Sequence, residues 1–190
     1  MNKIGITGGI GSGKSVVATL FELSGIPVYI ADIESKRLTD TSPIIREKLV
    51  KLFGSTLYKK SGLDRKLLAS HIFGNPEKLK LVNEIIHPEV NRHFLEWVTK
   101  QTTSMCAIES AILFESGFNQ LVNKTLMVYA PLEIRIQRAI LRDNLSREAI
   151  ISRIQNQLSD EIKKEQSDYV IYNDDEQALL PQVETFLQIV

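Results

Sequence analysis

The stretch Gly8-Gly9-Ile10-Gly11-Ser12-Gly13-Lys14-Ser15 decides how the rest of the chain is read. It fits the pattern G-x-x-x-x-G-K-[ST] at every position. Before it, Lys3-Ile4-Gly5-Ile6-Thr7 is short, apolar and partly β-branched, which predicts a buried strand. After it, Val17, Leu20, Phe21 and Leu23 recur at helical spacing, and Gly25 marks a stop. Strand, glycine loop and helix in that order are the context that gives such a pattern its meaning as a phosphate site. Glycines let main-chain N–H groups turn in on an anion, and the new helix adds unpaired donors and its positive dipole end. Lys14 is placed to carry a mobile cation to the β- and γ-phosphates of ATP, and the Ser15 hydroxyl to ligate Mg²⁺. A dinucleotide fingerprint fails, because Lys14 stands where its last glycine belongs.

Outward from the loop, Pro27-Val28-Tyr29-Ile30 predicts a second strand ending near Asp32. Residues 43–99 then read as helices. Their apolar stripes run through Ile44, Ile45, Leu49, Leu52 and Phe53, then Leu67, Leu68, Ile72 and Phe73, then from Leu79 to Leu95. The last stripe meets Pro88, expected to bend or break it. Strand signals return at 105–114, 125–130 and 169–172. Helices are expected from Pro131 through Arg142, from Ser146 to about Gln166, and from Glu176 onward. Five strands alternating with helices predict an α/β fold with a parallel sheet, carrying a helical insertion in its middle.

Composition narrows the function classes. Lys plus Arg and Asp plus Glu both total 23, so the net charge is zero and a globally basic nucleic-acid binder is not expected. A single cysteine, Cys106, excludes a disulfide framework and a multi-cysteine zinc site, and reads as a small core residue. No apolar run nears the roughly 20 residues of a membrane span, and no secretory signal opens the chain, so a cytoplasmic protein without a membrane partner is expected. His71 and His93 read as packed or surface histidines, and Trp97 with Phe94 as helix packing.

Several nucleotide enzymes share such a loop. A GTPase needs Asn-Lys-x-Asp, but after Asn123-Lys124 the Asp position holds Leu126. A motor or transport ATPase needs an apolar strand ending in Asp, and the third strand offers Glu109, with Glu115 beyond it. Neither reading is excluded by this. A small-molecule kinase must activate an acceptor hydroxyl and exclude water. Asp32, just past the end of the second strand, lies at the sheet edge where α/β proteins bind ligands, and a carboxylate there suits a general base or a Mg²⁺ partner. Alternatively it caps the helix that follows. Arg135, Arg138 and Arg142 share one helix face, with Arg147 and Arg153 on the next helix, which makes a basic hairpin able to close over ATP. Arg142 is the candidate for function. Arg135, Arg147 and Arg153 read as surface residues matched by Glu133, Asp143 and Glu148.

With these residues in hand, the chain resembles the dephospho-CoA kinase family over nearly its whole length. Ile6-Thr7-Gly8-Gly9-Ile10-Gly11-Ser12-Gly13-Lys14-Ser15 is similar to that family's phosphate loop, with Val16 for its usual Thr. Ile30-Ala31-Asp32 resembles its Asp-Ala-Asp element, with the first Asp replaced. Ile72-Phe73-Gly74-Asn75-Pro76-Glu77 and Ile85-Ile86-His87-Pro88 resemble its mid-chain signature. Ile112-Leu113-Phe114-Glu115, Gln137-Arg138 with Arg142-Asp143, Arg153 to Gln157, and Ser167-Asp168-Tyr169-Val170-Ile171-Tyr172-Asn173 resemble its later elements.

The resemblance implies one P-loop kinase domain over residues 1–190, with a five-stranded parallel sheet flanked by helices. Its core would span about 1–42, 103–142 and 167–190, its helical acceptor-binding insertion about 43–102, and its lid about 142–166. It implies transfer of the ATP γ-phosphate to the ribose 3′-hydroxyl of dephospho-CoA. The ATP-binding residues it implies are Gly9, Gly11, Ser12, Gly13, Lys14, Ser15, Val16, Arg142 and Asn173, the last two near the adenine. Thr7, Asp32 and His87 would meet the acceptor, Ser15 and Asp32 the Mg²⁺, and Lys14, Asp32 and Arg142 would carry the chemistry. A nucleoside or nucleotide kinase, or a nucleotide-dependent switch, are the alternative readings. The sequence does not fix an oligomeric state.

Overall fold

β1 (Asn2–Thr7) runs straight into the glycine loop and α1 (Lys14–Leu23) leaves it, in a computed structural model that describes residues 1–60 and 62–190. There follow β2 (Val28–Ile30), α2 (Ala31–Thr41), α3 (Pro43–Phe53), β3 (Tyr58–Lys59), β4 (Gly62–Leu63), α4 (Arg65–Ile72) and α5 (Pro76–Val98). The second half holds β5 (Met105–Glu109), β6 (Lys124–Tyr129), α6 (Leu132–Asp143), α7 (Arg147–Gln155), α8 (Asp160–Gln166), β7 (Tyr169–Tyr172) and α9 (Leu179–Ile189).

The expected five-stranded parallel sheet is present, in the order β2-β5-β1-β6-β7. β1 lies at its centre, with Ile4 opposite Ala107 on one side and Lys124 on the other. Parallel strands covered on both faces need apolar side chains on both, which is why these segments read as continuous hydrophobic runs. On one face Ile4, Ile6, Leu126, Val128 and Ile171 bury against Val17 and Phe21 of α1 and Val183 and Phe186 of α9. A smaller cluster of Ile136, Ala139 and Ile150 joins α6 to α7, and Ile10 of the glycine loop packs on it.

The chain divides into two compact units, one of residues 1–30 and 101–190, the other of residues 31–100. Sequence alone puts the insertion boundary near residue 43. The packing of α2 on α3 and α5 draws it back to Ala31. Within this second unit the β3–β4 hairpin interrupts what reads as helix throughout. Asp40 fastens the hairpin, accepting from the Leu63 N–H at 3.0 Å and from Arg65 at 3.1 and 2.9 Å. Pro76 at the first helical position and Asn75, whose side chain accepts from the Lys78 N–H, start α5. α5 continues through Pro88 unbroken. The proline faces solvent, as does Glu84, whose carbonyl loses its partner, while Val82, Val90 and Phe94 keep the helix packed on either side.

Three boundaries differ from the sequence expectation. β5 ends at Glu109, and residues 111–117 turn instead of extending, closed by the Ser116 hydroxyl donating to the Ile112 carbonyl at 2.6 Å. Residues 146–166 form two helices. The Ser159 side chain accepts from the Ile162 N–H, and Asp160 and Glu161 fill the first turn of α8, a start signal strong enough to divide the run. α9 begins at Leu179, because Asp174 takes the N–H groups of Glu176 and Gln177 into a turn.

Candidate active site

The glycine loop is held from several sides. Gly13 caps α1 with φ 95°, a left-handed conformation that favours glycine. A Cβ there would also overlap the Asn173 amide, which donates to the Ser12 carbonyl at 2.8 Å. Arg138 in turn donates to the Asn173 carbonyl at 3.1 Å and to Asp175 at 2.5 Å. The side chain of Asn173 is thus a brace for the loop. Gln157, between α7 and α8, accepts from the Ile10 N–H at 3.3 Å.

Lys14 begins α1 with its side chain nearly buried. Its Nζ donates to the Gly9 carbonyl at 3.2 Å and lies 4.0 Å from Glu109 Oε1. Glu109 closes β5, the strand beside β1, so its buried carboxylate reaches the same edge of the sheet as the loop. Thr7 Oγ1, Ser12 Oγ and Arg135 Nε are buried without a hydrogen-bond partner among the described residues. Buried orphan groups are rare, and apart from Asn91 Oδ1 in α5 those among the described residues collect in and around one loop, which marks it as a place where a ligand supplies the missing partners. Ser15 and Val16 are exposed on the first turn of α1.

Arg135 is not a surface residue. Only 3% of its side chain is exposed, and its Nη2 lies 2.6 Å from Asp160 Oδ2. A Cβ on Gly9 would overlap its guanidinium, and one on Gly11 would overlap its carbonyl. Helical periodicity puts Arg135 on the same stripe as Arg138 and Arg142, but the stripe is wide enough for its inner edge to meet the loop. Burial pushes the Asp160 carboxyl up despite the opposing pull of Arg135 and Lys163. Lys163 is fully buried, donates to the Ala111 carbonyl at 2.7 Å and lies 3.3 Å from Glu115, and burial pushes its ammonium down. Glu115 also accepts from the Leu158 N–H at 2.8 Å.

The remaining arginines behave as surface residues do. Arg142 is largely exposed and pairs with Asp143 at 2.7 Å; this guanidinium holds the Asp143 carboxyl below its ordinary range. Arg153 joins the same carboxylate at 3.3 Å, and Arg147 pairs with Glu133 at 2.7 Å. In the second unit, Asp32 is exposed in the first turn of α2. His87 is half-buried in α5, and burial pushes its pKa down.

Sequence reasoning placed Ser12, Gly13 and Lys14 in the phosphate loop, Thr7 with the acceptor and Asn173 near the adenine; in the structure Asn173 donates to the Ser12 carbonyl, and Thr7 ends the strand that enters the loop. It missed Glu109, Gln157 and Asp160 as neighbours of the loop, and Lys163 as the buried cation beside Asp160. For Glu109 there was a signal, a carboxylate ending an apolar strand. For Asp160 and Lys163 there was none, since a short polar helix gives no hint of which face is buried.

The sequence profile of the dephospho-CoA kinase family matches residues 2–178. A dephospho-CoA kinase of Bacteroides fragilis is 50% identical over 182 residues, covering 95% of this chain and 89% of its own. One of Porphyromonas gingivalis is 44% identical over 191 residues, covering 100% and 95%. Among solved structures, a Thermus thermophilus protein aligns with a TM-score of 0.83 at 36% identity, covering 98% and 94%. The dephospho-CoA kinase of Campylobacter jejuni aligns with a TM-score of 0.71 at 28% identity, covering 98% and 96%. A shikimate kinase of Acinetobacter baumannii, at 18% identity and a TM-score of 0.56, covers 100% and 92% and shares the P-loop kinase fold.

Proposed function

The chain belongs to the dephospho-CoA kinase family and phosphorylates dephospho-CoA with ATP in coenzyme A biosynthesis; on that premise we propose how its residues divide the work. The observation that carries the proposal is Lys14, whose Nζ lies against the Gly9 carbonyl and near Glu109 at the end of β5. The ATP triphosphate lies in the loop formed by Gly9, Gly11, Ser12, Gly13, Lys14, Ser15 and Val16, on main-chain N–H groups and the start of α1. Lys14 leaves the Gly9 carbonyl for the β- and γ-phosphate oxygens and offsets the charge that develops on them.

The acceptor is the ribose 3′-hydroxyl of dephospho-CoA. Its oxygen attacks the γ-phosphorus, the bond from that phosphorus to the bridging oxygen breaks, and ADP leaves. Asp32 takes the hydroxyl proton, with Thr7 and His87 on the acceptor side. Burial holds His87 neutral, which suits it to hydrogen bonding and not to charge pairing. Arg142, exposed and paired with Asp143, is available to the nucleotide. Asn173 braces the triphosphate loop through the Ser12 carbonyl, and its place near the adenine is part of the same reading. Residues 142–166 act as the lid and residues 43–102 as the acceptor-binding segment.

Ser15 and Glu109 offer the hard oxygen donors that magnesium takes, with Asp32 a further carboxylate for its shell. Among the described residues no group of three or more His, Cys, Asp or Glu side chains is placed to hold a metal ion, and in this reading the ion is carried chiefly by ATP. Bound with ATP, magnesium would supply charge neutralisation for the transferring phosphoryl group. Among the described residues no helix is long and apolar enough to cross a membrane. We place the enzyme in the cytoplasm, where ATP is at hand, acting on small molecules and not on nucleic acid. The test is ADP release with Mg-ATP and a panel of dephospho-CoA, nucleosides, nucleoside monophosphates or no acceptor. ADP is expected only with dephospho-CoA, and release with a nucleoside monophosphate alone would refute the reading.

A further inference from the structure

Among the arginines of α6 and α7, Arg135 is the buried one, and its burial has a cost that the fold answers only in part. Asp160 takes its Nη2, while its Nε has no partner among the described residues. The guanidinium lies against Gly9 so closely that a Cβ there would have to displace it. Gly9 shows no positive φ, so its backbone could accept an ordinary residue. Its bareness therefore serves Arg135. Lys14 holds the carbonyl of the same glycine, which sets Gly9 between two cations.

We propose that Arg135 is a positioning residue for the nucleotide phosphates, acting through Gly9 and Gly11, and that Asp160 is the counter-charge that limits how strongly its cation attracts them. This rests on the reading that the loop holds the triphosphate. Beside the loop two cations, Lys14 and Arg135, face two carboxylates, Glu109 and Asp160, and the Lys163–Glu115 pair acts on Asp160 from behind. Before nucleotide arrives the set is balanced. In a water-poor site a change of one charge acts strongly on a polyanion close by. The α7–α8 segment reaches the loop twice, by Gln157 on the Ile10 N–H and by Asp160 through Arg135. The strength of phosphate binding is thus set in part from that segment, by a residue that does not itself touch ATP. A kinase that must release ADP at each turnover gains from such moderation.

The test is calorimetric titration with Mg-ATP, without acceptor, on Arg135→Gln, Asp160→Asn, the double variant and Lys14→Ala. Arg135→Gln leaves a lone carboxylate beside the loop, and ATP affinity is expected to fall roughly tenfold or more. Asp160→Asn releases the cation, and affinity is expected to rise several-fold. The double variant is expected to return to within about threefold of the parent, as coupled sites do. A pair that only braces the fold would weaken binding in both single variants, so changes in the same direction, or none, overturn the proposal. If Arg135→Gln fails to fold, Asp160→Asn decides alone: tighter binding supports the proposal, and weaker or equal binding refutes it. Lys14→Ala separates the two layers. Were it to keep full ATP affinity, the loop reading would fail; were it to lose affinity while the pair variants changed nothing, only this inference would fail.

Discussion

The Asn173 side-chain amide donates to the Ser12 carbonyl at 2.8 Å, tying the end of β7 to the phosphate loop over a separation of 161 residues. Asn173→Asp replaces this donor with a carboxylate facing a carbonyl. The Michaelis constant for ATP is expected to rise roughly thirtyfold, since a lost, partly buried hydrogen bond and a new repulsion each cost about 1 kcal/mol. That for dephospho-CoA should stay unchanged. Steady-state kinetics with each substrate varied in turn would show it, and an equal rise for both would count against a role confined to the loop.

Lys14→Ala removes the cation nearest the Gly9 carbonyl. Turnover is expected to fall roughly a hundredfold or more, the usual scale for losing one stabiliser of developing charge. Initial rates measured beside a circular dichroism spectrum check this, the spectrum guarding against misfolding.

Asp32→Asn keeps the size of the side chain and removes its basicity. Turnover is expected to fall about a hundredfold to ten-thousandfold, with ATP affinity within about twofold of the parent. Full turnover in this variant would remove Asp32 from the chemistry.

Gly9→Ala forces the guanidinium of Arg135 aside, because the new Cβ would overlap it. ATP affinity is expected to drop in the parent. In an Arg135→Ala background the same change should have little further effect, because the obstructing group is gone. Equal losses in both backgrounds would show that Gly9 is needed for a different reason.

Asp40 gives a pH dependence with a definite sign. The Arg65 guanidinium, with the Leu63 N–H beside it, holds this carboxyl below its ordinary range, although partial burial pulls the other way. A carboxyl whose folded pKa is lowered stabilises the fold above its unfolded pKa, and that stabilisation is lost as pH falls through the folded value. Asp40→Asn is expected to cost about 1 kcal/mol at neutral pH, a figure kept small because the pair is partly solvated. The gap to the parent should close between about pH 5 and about pH 2 in urea unfolding. A gap of constant size across that range would discount the Arg65 contact.

Much of the core was legible because parallel strands and the glycine loop leave local marks. β1, the loop and α1 are contiguous in sequence, and each follows from its own residues. The α6 helix was legible too, but not which of its arginines turns inward, since Arg135 differs from Arg138 only in what lies opposite it. Tertiary partners decide that, and periodicity cannot see them. The β3–β4 hairpin was hidden for a related reason, being only two residues per strand, too short for alternation to register. Ser159 shows the opposite failure: its capping chemistry was present in the text, and the helical run around it masked the signal.

The long reach from Ser12 to Asn173 also bears on how the enzyme comes to life on the ribosome. The peptide that will grip ATP leaves the exit tunnel early, while the amide that braces it is not yet translated. A nascent chain halted before Asn173 would carry the whole nucleotide motif yet lack its keystone, so competence for ATP should arrive late in synthesis and abruptly.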